Sequence, residues 1–78
     1  MPRRSITARE FIAALTRSGF ALKRIRGSHR IYRRPDGKRV VVAFHGLNQG
    51  FAIGTLKAMI ADAGWTKEDL RRLGLADL

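Results

Sequence analysis

Two helix stops of the same form divide this chain and restrict the folds open to it. Each combines a small residue, a glycine and an aromatic residue, in Ser18-Gly19-Phe20 and again in Ala63-Gly64-Trp65. A glycine just after a helix takes a left-handed conformation, and the next residue then packs on the last turn. The two stops predict helices that end near 18 and 63, with Phe20 against Leu15 and Trp65 against Ile60.

Caps and apolar spacing predict where the helices start. Thr7 and Glu10 have the spacing of a capping box, which predicts a first helix over about 8–18. A second helix is expected from Gly54 or Thr55 to 63, and its apolar stripe is Ile53, Leu56, Ile60 and Ala63, with Met59 alongside. Thr66 begins a short third helix over about 67–73, which ends at Gly74. Its leucines are expected to cover the core: Leu70, Leu73 and Leu75.

Three segments between the stops are rich in β-branched and aromatic residues and predict strands at 20–26, 29–34 and 39–44. Pro35-Asp36-Gly37-Lys38 predicts a hairpin turn, and Gly27-Ser28 predicts a tighter one. The expected fold class is α+β in the order αβββα, with a three-stranded antiparallel sheet, two helices on one face and a short C-terminal helix. The whole chain, 1–78, is expected to be one domain with its core in about 6–65.

Alternation along the strands predicts which side chains face the helices. In the third strand the helix-facing residues are Val40, Val42 and Phe44. In the second strand an inward Tyr32 puts three residues outward: His29, Ile31 and Arg33. The face without helices is expected to be open, and the strands carry much of the positive charge onto or around it.

The positive charge is concentrated in the strand region. The chain has 16 Lys and Arg against 6 Asp and Glu, a net charge of +10, and positions 23–39 hold eight of the cations and one carboxylate, Asp36. Nucleic acid is the polyanion that most generally relieves such self-repulsion, and arginine binds phosphate with two parallel hydrogen bonds. The competing interpretation is a charged surface that contacts only solvent. The predicted RNA-binding residues are Lys23, Arg24, Arg26, Ser28, Arg30, Arg33, Arg34, Lys38 and Arg39.

Length and composition exclude several kinds of site. A chain of 78 residues buries only about 60% of its unfolded surface, so a deep cofactor pocket is not expected. The absence of cysteine excludes disulfides, cysteine zinc sites and thiol catalysis. No apolar run approaches the ~18 residues of a membrane span, and the cations do not lie on one face of an amphipathic helix. We expect a cytoplasmic protein that binds no membrane.

His29 is the residue in this pattern most suited to catalysis. It follows Gly27-Ser28 at a strand start and has Arg26 and Arg30 close in sequence. Neighbouring cations disfavour the imidazolium form, so a neutral imidazole can accept a proton. RNA supplies its own nucleophile, the 2′-OH, and arginines stabilise the charge on the attacked phosphorus. The competing interpretation is an exposed turn histidine without a chemical role.

Other chemistry has weaker support in the sequence. His29 with His45 matches no standard metal-site spacing, and nearby cations disfavour metal binding, so neither a metal nor another cofactor is expected. Ser28 lacks a partner set of the Ser-His-acid kind, and a turn or cap role suits it better.

Several short motifs occur in a specific order between about 6 and 65. They are Ser18-Gly19-Phe20, the run from Arg26 to Arg33, Pro35-Asp36-Gly37-Lys38-Arg39, His45-Gly46 and Gly54-Thr55-Leu56. Together they resemble the HicA (YcfA-like) toxins of bacterial toxin–antitoxin pairs, although each piece alone is weak. The chain departs from the family pattern at 47–53, where the family commonly has a charged loop and a proline, and in the tail from Thr66.

This resemblance implies a double-stranded-RNA-binding-domain-like fold and ribosome-independent cleavage of mRNA, with His29 as the catalytic residue. It also implies a HicB antitoxin that covers the active surface, and a complex that represses its own operon, so that operator DNA is contacted only through that complex. We expect the antitoxin to be acidic and to cover His29 and the adjacent basic strands. Phe51, Ile53 or the 66–78 tail would add an apolar contact.

Two further readings compete with the toxin. Small basic αβ domains bind RNA through shape and phosphate contacts alone, so a noncatalytic RNA-binding module fits the same charge and fold. A DNA-binding protein fits less well because no helix carries a recognition-like set of Arg, Asn and Gln. His29 is the feature that separates the enzyme from the binding module.

Overall fold

A computed structural model of the chain describes residues 6–75. Helix α1 (Ala8–Arg17) begins at a capping box, in which the Thr7 hydroxyl accepts from the Glu10 amide and the Glu10 carboxylate accepts from the Thr7 amide. The helix ends as predicted: Gly19 has a φ of 94°, and the Phe20 amide donates to the Leu15 carbonyl. Phe20 and Leu15 are both buried.

The other two helices follow the sheet. Helix α2 (Ile53–Ala63) ends at Gly64, whose φ is 72°, and the Trp65 amide donates to the Ile60 carbonyl. Helix α3 (Lys67–Arg72) has a Thr66 cap of the same kind as α1. The leucine cover is confirmed for Leu73 and Leu75, which are buried, while Leu70 packs against the core from a half-buried position.

Three strands form one antiparallel sheet in the order β1-β2-β3, namely β1 (Ala21–Arg26), β2 (His29–Arg33) and β3 (Arg39–Ala43). The β2–β3 hairpin closes through the predicted turn, where the Gly37 amide donates to the Arg34 carbonyl and Pro35 holds the second position. A register shift at Lys23 marks a bulge in β1. The predicted α+β, αβββα fold class is confirmed.

The sheet has an inner face, which the helices cover, and an outer face. On the inner face Tyr32 pairs with Val40 and Arg30 pairs with Val42, and the tyrosine and both valines are buried. The outer face carries His29, Ile31 and Arg33 of β2. The predicted alternation is therefore confirmed on both strands.

Aromatic rings join the helices in the core. Phe11 of α1 lies 5.3 Å from the Trp65 ring and 6.2 Å from the Phe51 ring, measured between centroids. Phe20 meets Trp65 edge to face at 6.5 Å. Such arrangements are favoured by the aromatic quadrupole. Each helix stop thus supplies an aromatic ring to the same cluster.

Two predictions about apolar residues were wrong. Ile53 was expected in the apolar stripe of α2, yet it is the first residue of the helix and is 54% exposed. Phe51 was one of three alternatives for an apolar contact with a partner, yet it is only 7% exposed because it packs on Phe11. Within residues 6–75, no helix has the length and apolar character needed to cross a bilayer.

Candidate nucleic-acid interface

A two-residue turn positions His29 on the sheet. Arg26 and His29 are paired residues of β1 and β2, so only Gly27 and Ser28 separate the strands. Gly27 has a φ of 60° and Ser28 does not have a positive φ, which is the pattern of a type II′ hairpin turn. A side chain at Gly27 would have free space around it, so the backbone angle rather than crowding requires glycine there. His29 begins β2 and is exposed on the outer face.

The outer face is arranged in three rows that run across the strands. The first row is Arg26, His29 and Ala43; the second is Arg24, Ile31 and Val41; the third is Ala21, Arg33 and Arg39. Neighbouring rows on one face lie about 7 Å apart, since they are two residues apart along each strand. This spacing is close to that of successive phosphates along an extended nucleic-acid strand. The rows bring His29 together with four of the predicted RNA-binding arginines.

Within residues 6–75, these four arginines have no acidic partner. Arg24, Arg26, Arg33 and Arg39 are exposed, and no strand residue is acidic. Among residues 6–75, the ion pairs join other cations to carboxylates, in Arg34–Asp36, Arg71–Glu68 and Arg72–Asp69. Arg33 and Arg39 lie directly opposite each other, and like charges in a cross-strand pair are destabilising. A bound polyanion would relieve that repulsion.

Arg30 and Arg34 lie away from the outer face. Arg30 has its guanidinium carbon 4.8 Å above the Phe44 ring on the inner side. Arg34 has the same distance to the Phe20 ring, and it also donates to the Asp36 carboxylate and to the Ser18 carbonyl. Hydrogen bonds from Arg34 and from the Lys38 amide lower the pKa of Asp36. The cation–π contacts of both arginines, and the ion pair of Arg34 with Asp36, make these side chains part of the packing.

Lys38 also lies on the helix side. A methyl group built on Gly64 would come within 3.0 Å of the Lys38 side chain, so this lysine lies across the C-terminal cap of α2. A cation there interacts favourably with the negative end of the helix dipole. The remaining cation of the predicted set, Lys23, is exposed at the bulge of β1.

The other predicted polar residues have backbone roles. Ser28 is half-buried, and its carbonyl accepts a hydrogen bond from the Phe44 amide at 3.0 Å. The amide of His45 donates to the Gln49 side chain at 2.9 Å. No group of three or more His, Asp or Glu within residues 6–75 could hold a metal ion.

The segment that departs from the family pattern has a structural role that sequence reasoning missed. The Gln49 carbonyl accepts from the Ala8 amide at 2.8 Å, and the Leu47 carbonyl accepts from the Arg9 amide at 2.9 Å. The first amides of a helix lack partners within it, so this loop satisfies two donors at the start of α1. Such bonds form between positions about 40 apart and leave no local signal in the sequence.

A cleft of about 520 Å³ lies between the end of α1 and α3, on the helix side of the molecule. It is lined by Arg17, Arg34, Trp65, Asp69 and Arg72, among others. None of the outer-face residues contributes to it. Two of the arginines that line it already have partners within the protein. Arg17 donates to the Arg72 carbonyl, and Arg72 pairs with Asp69. The candidate site is therefore an open surface rather than this cleft.

The sheet of this basic αβββα domain places His29 among arginines that have no carboxylate partner within residues 6–75. The family model described as the HicA toxin of bacterial toxin–antitoxin matches residues 8–65, which is most of the chain. The match defines the class of protein as a toxin of the toxin–antitoxin type. The chain belongs to the HicA toxin family. A search of the curated proteins gives no match.

Proposed function

We propose that this HicA-family chain is an endoribonuclease that cleaves mRNA without a metal ion and that the outer face of its sheet binds the RNA. The observation that carries the proposal is the exposed His29 in a row with Arg26, beside arginines that have no carboxylate partner among residues 6–75. An open surface suits a polymer substrate. The 2′-OH of RNA makes a nucleophile from the protein unnecessary.

His29 acts as the proton acceptor in this mechanism. The imidazole takes the proton of a 2′-OH as that oxygen forms a bond to the adjacent phosphorus. The bond from phosphorus to the 5′ oxygen then breaks, and the leaving oxygen takes up a proton from the imidazolium or from water. The products are a 2′,3′-cyclic phosphate and a 5′-hydroxyl end.

Arg26 and Arg24 have the positions suited to the charge that develops on the phosphate. Arg26 lies directly across the β1–β2 pair from His29, and Arg24 lies in the next row. Guanidinium groups bind two phosphate oxygens at once, so they stabilise negative charge on the pentacoordinate phosphorus. Arg33 and Arg39 lie farther along and would hold a neighbouring phosphate of the strand.

The proposed partner is a HicB-type antitoxin of acidic character that covers His29 and the outer face. A protein of net charge +10 with an open cationic face would otherwise bind cellular RNA indiscriminately. Opposite charges also speed the association of toxin and antitoxin at moderate salt. Phe51 does not contact the antitoxin in this proposal, since its ring is buried against Phe11.

Replacement of His29 tests the proposed function. His29→Ala should lower the cleavage rate of a defined single-stranded RNA by about 10²- to 10⁴-fold, which is the usual contribution of a general base. His45→Ala is the matched control because His45 is also exposed and lies outside the rows, and it should cleave at the wild-type rate. A folded His29→Ala protein that cleaves as fast as wild type would refute the proposal. Binding of RNA without cleavage by wild type would favour the noncatalytic module.

A further inference from the structure

Strand β1 is an exposed edge of the sheet in the part of the chain that the structure describes. Within residues 6–75, β1 pairs only with β2, so its other side has no strand neighbour. All six residues of β1 are exposed, whereas β3 has two buried residues and lies against α2. An edge of this length has free amide and carbonyl groups that can pair with another extended chain.

Two aliphatic residues make this edge unusual. Leu22 is 43% exposed and Ile25 is 54% exposed, although both lie on the inner face. Their cross-strand partners place them there: Leu22 pairs with the buried Tyr32, and Ile25 pairs with Arg30. Among residues 6–75, the helices bury Tyr32, Val40 and Val42 on the inner side of β2 and β3 but leave Leu22 and Ile25 of β1 exposed. Exposed aliphatic residues beside a free strand edge are typical of an interaction site.

The charges on β1 determine what kind of chain can pair there. Arg24 and Arg26 lie on the outer face, and Lys23 lies at the bulge. A second copy of this chain would bring the same cations together, and such edge cations prevent self-association. An acidic chain meets no such repulsion. RNA would match the cations, but it would not bury Leu22 and Ile25.

We propose that β1 receives an extended acidic segment of the antitoxin, which adds a fourth strand to the sheet. This inference rests on the proposed function for the identity of the partner. The bulge at Lys23 puts Leu22 and Ile25 on the same face. A segment that pairs with β1 in the register that β2 uses would therefore place carboxylates beside Arg24 and Arg26 and aliphatic side chains beside Leu22 and Ile25. The carboxylates would then lie next to the row that contains His29, where they would compete with phosphate.

A synthetic peptide tests the docking site without requiring the antitoxin. The probe is an acetylated and amidated heptapeptide in which glutamate and valine alternate, added to the isotope-labelled full chain. Hydrogen exchange should slow at the amides of 21–26. The double variant Leu22→Thr with Ile25→Thr keeps strand propensity, and it should bind the peptide about tenfold more weakly because two apolar contacts are lost.

Ile53→Thr is the matched control, since Ile53 has the same 54% exposure as Ile25 but lies on α2. It should bind the peptide as wild type does. The double variant should also cleave RNA normally because neither residue lies on the outer face. His29→Ala should retain peptide binding, so a failure of the cleavage proposal is distinguishable from a failure of the docking proposal.

Four results would overturn the docking proposal. The first is equal binding of a peptide with lysine in place of glutamate, or with serine in place of valine. The second is slowed exchange at 29–33 and 39–43 with none at 21–26, which would mean that the peptide only neutralises the outer face. The third is protection of 21–26 by single-stranded RNA rather than by the peptide. The fourth is a wild-type dimer in sedimentation that the double variant abolishes.

Discussion

The two faces of one three-stranded sheet differ sharply, although their residues alternate along the same strands. The inner face buries Tyr32, Val40 and Val42 beneath the helices. The outer face exposes His29 and four arginines that lack carboxylate partners among the described residues. The inner face contributes to stability, whereas the proposed function uses the outer face. Substitutions on the two faces should therefore change different measurements.

The largest effect expected on RNA affinity comes from the outer-face arginines. Replacement of Arg24, Arg26 and Arg33 by glutamine should weaken binding to single-stranded RNA about a hundredfold at 0.1 M salt, because each lost phosphate contact removes about 0.7 from the log–log salt slope. The slope itself should become shallower by about two. Titration of a labelled RNA oligonucleotide at several salt concentrations measures both quantities.

The control for this variant is the triple replacement of Lys57, Arg71 and Arg72 by glutamine. It removes the same formal charge, but Arg71 and Arg72 are paired with Glu68 and Asp69 on α3. Its salt slope should stay close to that of wild type. Equal slopes for the two triple variants would mean that RNA binds through net charge rather than through the outer face.

Two adjacent valines allow the contributions of the two faces to the free energy of unfolding to be compared. Val42 is fully buried on the inner face, whereas Val41 is half-buried on the outer face. Val42→Ala should lower the free energy of unfolding by about 2–3 kcal/mol, since it removes two buried methyl groups and leaves a cavity. Val41→Ala should cost less than about 1 kcal/mol. Urea denaturation of both variants checks this, and equal losses would contradict the division between the faces.

The smallest expected effect is the contribution of Tyr32 to the pH dependence of the free energy of unfolding at alkaline pH. Burial raises the pKa of its phenol above the ordinary value of 10.0, although Arg30 opposes the shift. As the pH rises, the phenol therefore ionises in the unfolded chain before it ionises in the native protein. Its contribution to the free energy of unfolding is complete below about pH 10 and is lost as the pH rises through the native pKa. Unfolding measured from pH 9 to 11 should show this decline in wild type and a weaker decline in Tyr32→Phe. An identical decline in both proteins would assign the effect to other groups.

Much of the fold could be predicted because its signals are local. The capping box of Thr7 and Glu10 and the glycine stops at 19 and 64 involve neighbours in sequence, and the structure contains all of them. Alternation likewise predicted the buried Val40 and Val42. Each of these features depends on backbone preferences or on a fixed periodicity, and no tertiary contact is needed to recognise it.

The division of the cations could not be predicted from the sequence. The sequence predicts one common role for Arg24, Arg30, Arg33 and Arg34. In the structure Arg30 lies over the Phe44 ring and Arg34 lies over the Phe20 ring, both on the core side. The position of each guanidinium group depends on which aromatic rings lie near it once the sheet and the helices have packed together. For the same reason the exposure of Leu22 and Ile25 could not be read from the strand pattern, because it depends on how far the helices extend over the sheet.

The most direct test of RNA cleavage by the outer face is the chemistry of the product ends. Wild-type protein would be incubated with a defined RNA in excess EDTA, alongside the same RNA with a 2′-deoxy residue at the cleaved position. We predict cleavage of the first RNA to a 2′,3′-cyclic phosphate and a 5′-hydroxyl, and no cleavage at the substituted position, since the 2′-OH is the nucleophile. Cleavage that stops in EDTA, or that leaves a 5′-phosphate and proceeds without the 2′-OH, would contradict this mechanism.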